Sequence, residues 1–433
     1  MLSSRMPLLQ SFRLTKLILL ASMILAPPAA VAGGGLVAND QALRLGLTRA
    51  WFSQTQLDRS LQQVQSAVLY GDQLFVLTSA GTLHVMDAHT GRTVWIERMG
   101  DPKHPSLGPA VSDMHVALVS GSTLFVLNRS DGRREMTREL GGGAGGGPAL
   151  TTSHVYVPLF SGKMEAYSLN DSEEPTWYYA STGRVFDAAA ASADSVMWPT
   201  DRGYLYVANS AGNGVRYRFE SASRITGLPA VQDGVIYAAA ASGYVHAIDE
   251  QAGGQKWRYA TGAPITRSPV VIGNRVYAAT ESPTLHCLNA KSGVPVWEAR
   301  NMRQLVAVSK SSVYGINNYG DVTVIDAASG VPQGRLRTSD KTSAVINDQT
   351  DRLYLISETG LVQCLHEIDS DEPYLHGVQP AEQEGDVEPA EDPGSEMTDD
   401  EPDDGAPNLF EEPDDSNPFG EETDAADNIN PFG

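Results

Sequence analysis

From about residue 64 to residue 366 the chain is a succession of short apolar or alternating runs, separated by turns rich in Gly, Asp, Asn and Ser. Alternation with period two places successive side chains on opposite faces of a strand, whereas a helix would repeat every three to four residues. Gln73-Leu74-Phe75-Val76 leads to Gly81-Thr82-Leu83-His84-Val85-Met86-Asp87, then to Gly91 and Trp95. The same order returns in Arg275-Val276-Tyr277, Leu285-His286-Cys287-Leu288-Asn289, Gly293 and Trp297. A polar residue closes the second strand of each unit at Asp87, Asn128, Ser168, Asn209, Asp249, Asn289, Asp326 and His366, at spacings of 41, 40, 41, 40, 40, 37 and 40 residues. A unit of that size with three or four short strands cannot bury its faces alone, and radial stacking is the arrangement that lets it do so. No run of helical periodicity separates the units, which leaves out βαβ folds and helical solenoids. The pattern predicts an all-β, eight-bladed β-propeller.

The eighth unit lacks its last strand because the sequence after His366 turns acidic. The stretch Leu47–Leu57 has the missing pattern and contains Trp51, so the N-terminal strand is expected to complete the last blade and remove two open sheet edges. Trp51, Trp95, Trp177, Trp257 and Trp297 then occupy equivalent places, with Tyr217, Met136 and Gly334 in the others. A large stacking face at each blade boundary makes these tryptophans structural docking residues.

Three units carry a more specific motif: Val85-Met86-Asp87-Ala88-His89-Thr90-Gly91-Arg92-Thr93-Val94-Trp95, Leu288-Asn289-Ala290-Lys291-Ser292-Gly293-Val294-Pro295-Val296-Trp297 and, without the Trp, Ile325-Asp326-Ala327-Ala328-Ser329-Gly330. These stretches resemble the repeat of the PQQ-type β-propeller family, whose members are quinoprotein dehydrogenase-like or BamB-like, over roughly residues 47 to 366. The resemblance implies the propeller fold and two functions that differ in kind. Dehydrogenases of the family hold a quinone over the propeller axis with calcium, a catalytic Asp and often adjacent cysteines, walled by long insertions. This chain has no adjacent cysteines and hardly an insertion in its blades. BamB-like members are non-enzymatic scaffolds of outer-membrane protein assembly. The expectation is a non-enzymatic binding scaffold with no cofactor and no catalytic residue. A PQQ-dependent dehydrogenase of alcohols or sugars is the alternative.

Composition changes the picture at the two ends. The chain has 31 Lys and Arg against 53 Asp and Glu, a formal charge of −22, but 24 of the acids and none of the basic residues lie in Glu367–Gly433. The body is therefore near neutral, with no basic excess to attract nucleic acid. Residues 1–32 read as an export signal: Arg5, Arg13 and Lys16 precede an apolar run from Leu17 to Ala26, and Ala30-Val31-Ala32 is a small-residue cleavage site. The run is too short to span a bilayer, so no integral membrane segment is expected after cleavage. The chain divides into that signal, a linker at 33–46, the propeller at 47–370 and a disordered acidic tail at 371–433. An exported monomer follows, periplasmic or secreted, whose partner is another envelope or secreted protein.

Candidate chemistry is sparse. Cys287 and Cys364 fall at the same strand position of blades six and eight, a quarter turn apart, so no disulfide is expected. His84, His246 and His286 sit at equivalent places in different blades and are expected to pack within strands, with no metal site. The Gly141–Gly147 run reads as a flexible lead-in to blade three. Arg184, Arg224, Arg267 and Arg303 come at nearly matching offsets before successive inner strands, with Lys103 and His104 in the like place of blade two. They are the candidate ligand-binding residues, a rim suited to a carboxylate, phosphate or acidic peptide. The alternative is that each pairs with an Asp of a neighbouring blade, for instance Asp187. In the tail, Asn417-Pro418-Phe419-Gly420 and Asn430-Pro431-Phe432-Gly433 are docking-motif candidates, each presenting one aromatic from an Asn-Pro turn. The alternative there is a solubilising tail.

Overall fold

The computed structural model describes residues 35–100, 102–212, 214–338 and 342–376; residues 1–32, expected to be an export signal, and the two Asn-Pro-Phe-Gly motifs lie outside them. Among the described residues the strands form eight four-stranded antiparallel sheets, and one short helix, Asn39–Arg44, precedes the first strand. The blades span residues 64–98, 106–139, 149–180, 190–220, 225–260, 270–300, 302–336 and, for the eighth, 342–367 with Leu47–Gln54. In each blade but the last, strands follow chain order from the inside out, and the inner strands of blades one to six neighbour one another in turn.

The two middle strands are sandwiched between adjacent blades. Gln73–Thr78 and Thr82–Asp87 are therefore buried along nearly their whole length, while outer strands such as Arg134–Glu139 stay largely exposed. Continuous burial on both faces is what turns a strand into an apolar run instead of an alternation. The core is a series of wedges between blades, as where Phe75, Leu77, Leu83 and Val85 meet Val116, Leu118, Phe125 and Leu127.

Leu47–Gln54 closes the ring. It pairs antiparallel with Leu361–Glu367, Leu47 opposite Glu367 and Gln54 opposite Leu361, and Trp51 faces Cys364.

The segment expected as a linker is packed instead. Val37 and Ala42 are buried in the last core wedge. The Val37 N–H donates to Gln363 Oε1 at 3.1 Å, and Gln363 Nε2 donates to the Gly35 carbonyl at 3.1 Å. Leu45 lies over Gly334, where an added Cβ would stand 2.3 Å from Leu45 Cδ2. Blade seven has no aromatic at that place, and Leu45 fills the vacancy. At the other end, the boundary set at residue 371 comes too early. The Tyr374 N–H donates to Asp351, the His376 N–H to the Gln349 carbonyl, and Arg352 binds the Ser370 and Asp371 carbonyls.

The glycine run is also not a flexible lead-in. A Cβ on Gly145 would sit 2.2 Å from the Val185 carbonyl oxygen, and one on Gly146 would sit 2.1 Å from that of Asp187. Glycine here allows blades three and four to approach backbone to backbone near the axis. Cys287 and Cys364 are buried and unpaired, and burial pushes their thiols up to about 11 and about 12.

Candidate functional site: one mouth of the propeller

Five of the eight polar markers, Asp87, Asn128, Asp249, Asn289 and Asp326, close their strand with an Asx-type turn, and Ser168 does the same through its hydroxyl. Asp87 Oδ1 accepts from the His89 and Thr90 N–H groups at 3.1 and 2.7 Å, and Asn289 Oδ1 accepts from Lys291 and Ser292 at 3.0 Å each. The turn presents a backbone carbonyl and a left-handed glycine to the preceding blade. Trp51, Trp95, Trp257 and Trp297 donate from Nε1 to the carbonyls of Ala88, Arg129, Ala290 and Ala327 at 2.8 to 3.0 Å. Their rings rest on Gly91, Gly132, Gly293 and Gly330. Tyr217 substitutes through its hydroxyl, donating to Asp249 and Glu250 carbonyls. Trp177 differs: it stacks on Tyr179 and meets Tyr156 edge-on, and Tyr156 instead reaches the Asn209 and Ser210 carbonyls. On this face the repeat aromatics hold blade to blade.

The opposite face carries the crossings from outer to inner strands. There Phe160, in the turn before Lys163–Ser168, meets Phe186, in the lead-in to Ala190–Ala191, edge to face at 4.9 Å. Both rings are exposed, 45% and 41%. The Arg184 guanidinium lies 5.6 Å over Phe160, and that of Arg224 lies 5.5 Å over Phe186. Arg224 also pairs with Asp187 at 2.7 Å. Beside them Thr182, Gly183, Arg184, Asp201, Arg202 and Tyr204 line an open depression of about 510 Å³. Its floor is fixed: the Arg184 N–H donates to Asp201 Oδ1 at 2.8 Å, and the Thr182 N–H to the Tyr206 hydroxyl at 2.8 Å. Gly183 has φ +102, and a Cβ there would meet Asp201 Oδ1 at 2.6 Å and Arg202 Cγ at 2.8 Å. Arg218 stacks 4.1 Å over Tyr204 at the outer margin.

The four arginines do not form one even rim. Arg184 and Arg224 each precede a fully buried apolar residue, Val185 and Ile225. In blade six the corresponding residue, Ile265, follows Pro264, and Arg267 comes two residues later. Arg303 lies inside the inner strand Met302–Val308. Arg267 donates to Gln304 Oε1 at 3.2 Å, and burial together with the charge of Arg303 lowers its pKa. The mouth thus holds two couples: Arg184 with Arg224 on the aromatic pair, and Arg267 with Arg303.

The other histidines of the repeat lie away from the mouth, and among the described residues the His84 Nε2 has no hydrogen-bond partner. His84, His246 and His286 are buried in separate blades, and burial lowers each pKa. His246 is held by Ser221 and Gln255, and His286 by Glu298. Among the described residues no group of three His, Cys, Asp or Glu is placed to hold a metal. A cleft of about 490 Å³ between blades two and three surrounds Glu165. Burial pushes that carboxyl up, but Lys163, Tyr167 and the Gly141 N–H more than offset it and hold it below its ordinary value.

The profile of the family described as "Outer membrane protein assembly factor BamB" matches residues 39–177, 127–330 and 176–373. The chain belongs to that family. Among solved structures, BamB from Moraxella catarrhalis superposes with a TM-score of 0.59 at 17% identity, covering 74% of this chain and 99% of that one. The computationally designed Ika8 protein gives 0.56 at 16% identity, with 71% and 96% covered. The C-terminal WD40 domain of Sif2 gives 0.56 at 8% identity, with 74% and 98% covered. At these identities the likeness is one of fold. No curated protein sequence matches the chain.

Within this BamB-family propeller, Phe160, Phe186, Arg202 and Tyr204 escaped the sequence reading. A signal for Phe160 exists: two residues before the turn glycine, five of the other blades carry Ser79, Asp201, Ala241, Asn318 and Glu358. An aromatic at a place otherwise small or polar has no role in the repeat itself.

Proposed function

We propose that the protein is an exported, non-enzymatic scaffold that holds a protein partner of the cell envelope or of the secreted fraction at the mouth bearing Phe160, Phe186, Arg184 and Arg224. The observation that carries this reading is the division of labour between the faces. On one face the repeat aromatics are engaged in Trp-to-turn contacts between blades, while the other exposes two contacting phenylalanines and guanidiniums held over them. Aromatic and arginine side chains are the types that dominate protein-binding hot spots. The family's description as an outer-membrane protein assembly factor supports an envelope role. The signal at residues 1–32 supports export, with a mature N-terminus at Gly33. The two Asn-Pro-Phe-Gly motifs would add docking points for a second partner.

Crosslinking in cells from a photoreactive residue at position 160 or 186, followed by mass spectrometry, tests the reading. One recurrent partner, lost when the probe is moved to exposed Val294 on the opposite face, supports it. Equal capture from both faces contradicts it. The dehydrogenase alternative rests on the PQQ-type repeats, and it predicts a quinone absorbance that survives desalting after incubation with PQQ and calcium.

A further inference from the structure

We propose that the depression between blades three and four reads a short acidic segment carrying an aromatic or bulky aliphatic side chain, with Arg184 and Arg202 taking its carboxylates and the Phe160–Phe186 pair taking its apolar group. This names the chemistry of the partner and rests on the scaffold reading above.

Charge comes first. Among the described residues Arg184 and Arg202 make no ion pair, although both line the same depression, and the only carboxylate lining it, Asp201, accepts the Arg184 backbone N–H. Two guanidiniums without carboxylate partners at one concave site favour a ligand that supplies them, and each can bind a carboxylate in bidentate fashion. Arg224 is different, since Asp187 already neutralises it at 2.7 Å.

The aromatic pair then decides between anion classes. Each phenyl ring has a guanidinium over one face, and the Phe160–Phe186 contact at 82° sets the edge of one ring against the face of the other. Flat bases or sugar rings need an open ring face for stacking, and these faces are largely taken. What stays exposed is the outer apolar rim of the pair, which suits a side chain inserted beside it. The pair is also held firmly. Arg184 and Phe186 flank Val185, which is fully buried, and the backbone on both sides of the depression is pinned by Asp201 and Tyr206. A pre-organised site loses little conformational entropy on binding.

The test uses the full chain and fluorescein-labelled twelve-residue peptides in fluorescence anisotropy. One peptide alternates Glu, Asp and Ser around two Phe; a second has Ala for Phe; a third has Gln and Asn for the acids. A single-stranded oligonucleotide of the same length is the fourth probe. The first peptide is expected to bind at least about tenfold tighter than the other three, and to weaken as salt is raised. The double change Arg184→Gln with Arg202→Gln, and separately Phe160→Ser, is expected to cost about tenfold or more each, with unchanged melting temperatures. Arg98→Gln, on the outer strand of blade one, is expected to leave binding as it was. Equal binding of the amide peptide, tighter binding of the oligonucleotide, or full binding by the Arg184/Arg202 variant would each overturn the proposal. If the peptides fail while crosslinking from position 160 still captures a recurrent partner, the scaffold reading stands and only this assignment of partner chemistry falls.

Discussion

Replacing Trp51 with Ala tests how the ring is sealed. The indole is 8% exposed and belongs to the one strand of blade eight that comes from the N-terminus. It lies on Gly91 of blade one, sits 6.1 Å from the Tyr354 ring, and donates from Nε1 to the Ala88 carbonyl at 3.0 Å. Truncating a buried Trp costs about 3–5 kcal/mol. The Ala88 carbonyl keeps the Tyr354 hydroxyl at 3.2 Å, so no orphaned acceptor adds to that figure. At about 2.1 cal/mol/K per residue, a unit of this size unfolds with an entropy of roughly 0.7 kcal/mol/K, so the melting temperature should fall by about 4–7 °C. Trp51→Phe keeps most of the ring and loses the donor, for about 1–3 °C. Trp177→Ala, whose Nε1 makes no hydrogen bond among the described residues and whose ring is only partly buried, should cost less than Trp51→Ala. Scanning calorimetry at one scan rate reads these shifts. Trypsin cleavage after exposed Arg59, just beyond the closing strand, should accelerate in Trp51→Ala. A melting point within about 1 °C of the parent, or a larger loss from Trp177→Ala, would refute the role given to Trp51.

Three further outcomes follow from the same packing. Gly146→Ala forces a Cβ to 2.1 Å from the Asp187 carbonyl and should destabilise by about 1–3 kcal/mol, whereas Gly143→Ala, with nothing within 4 Å, should stay within about 0.5 kcal/mol; paired urea melts compare them, and equal behaviour would contradict the close approach. Cys287 and Cys364 should fail to react with Ellman's reagent at pH 8 until the protein unfolds, since both are buried and their thiols are raised to about 11 and about 12; two fast thiols in the native state would be the opposing result. Burial lowers the pKa of His84, His246 and His286, so their stabilising neutral form is fully present above the unfolded value of about 6.5 and is lost as pH falls below it, by up to about 1.4 kcal/mol per pH unit for each. His246→Gln should therefore flatten the fall in melting temperature between about pH 7 and pH 5, and an unaltered slope would count against it.

The number of blades, their strand order and the closing strand could be read from the chain because each depends on local pattern. A 40-residue period, a polar marker whose side chain caps its own turn, and an aromatic a fixed distance later are properties of one unit, and repetition multiplies the signal. The helix-bearing segment around Val37, Ala42 and Leu45 was invisible in that reading. It belongs to no repeat, and its place follows from a gap over Gly334 almost 300 residues away. The glycines 145–147 looked loose for a similar reason: nothing along the chain states how near the next blade's backbone will pass. The mouth behaves the same way. Arg184, Arg224, Arg267 and Arg303 have similar offsets in sequence, yet a shift of one to three residues near a strand end moves a side chain from the rim into the strand. Only the rigid packing of blade three against blade four brings Phe160 to Phe186 and leaves Arg184 and Arg202 facing one depression. Periodic burial is encoded within each unit, whereas the meeting of loops from different units is set by how whole sheets lean on one another.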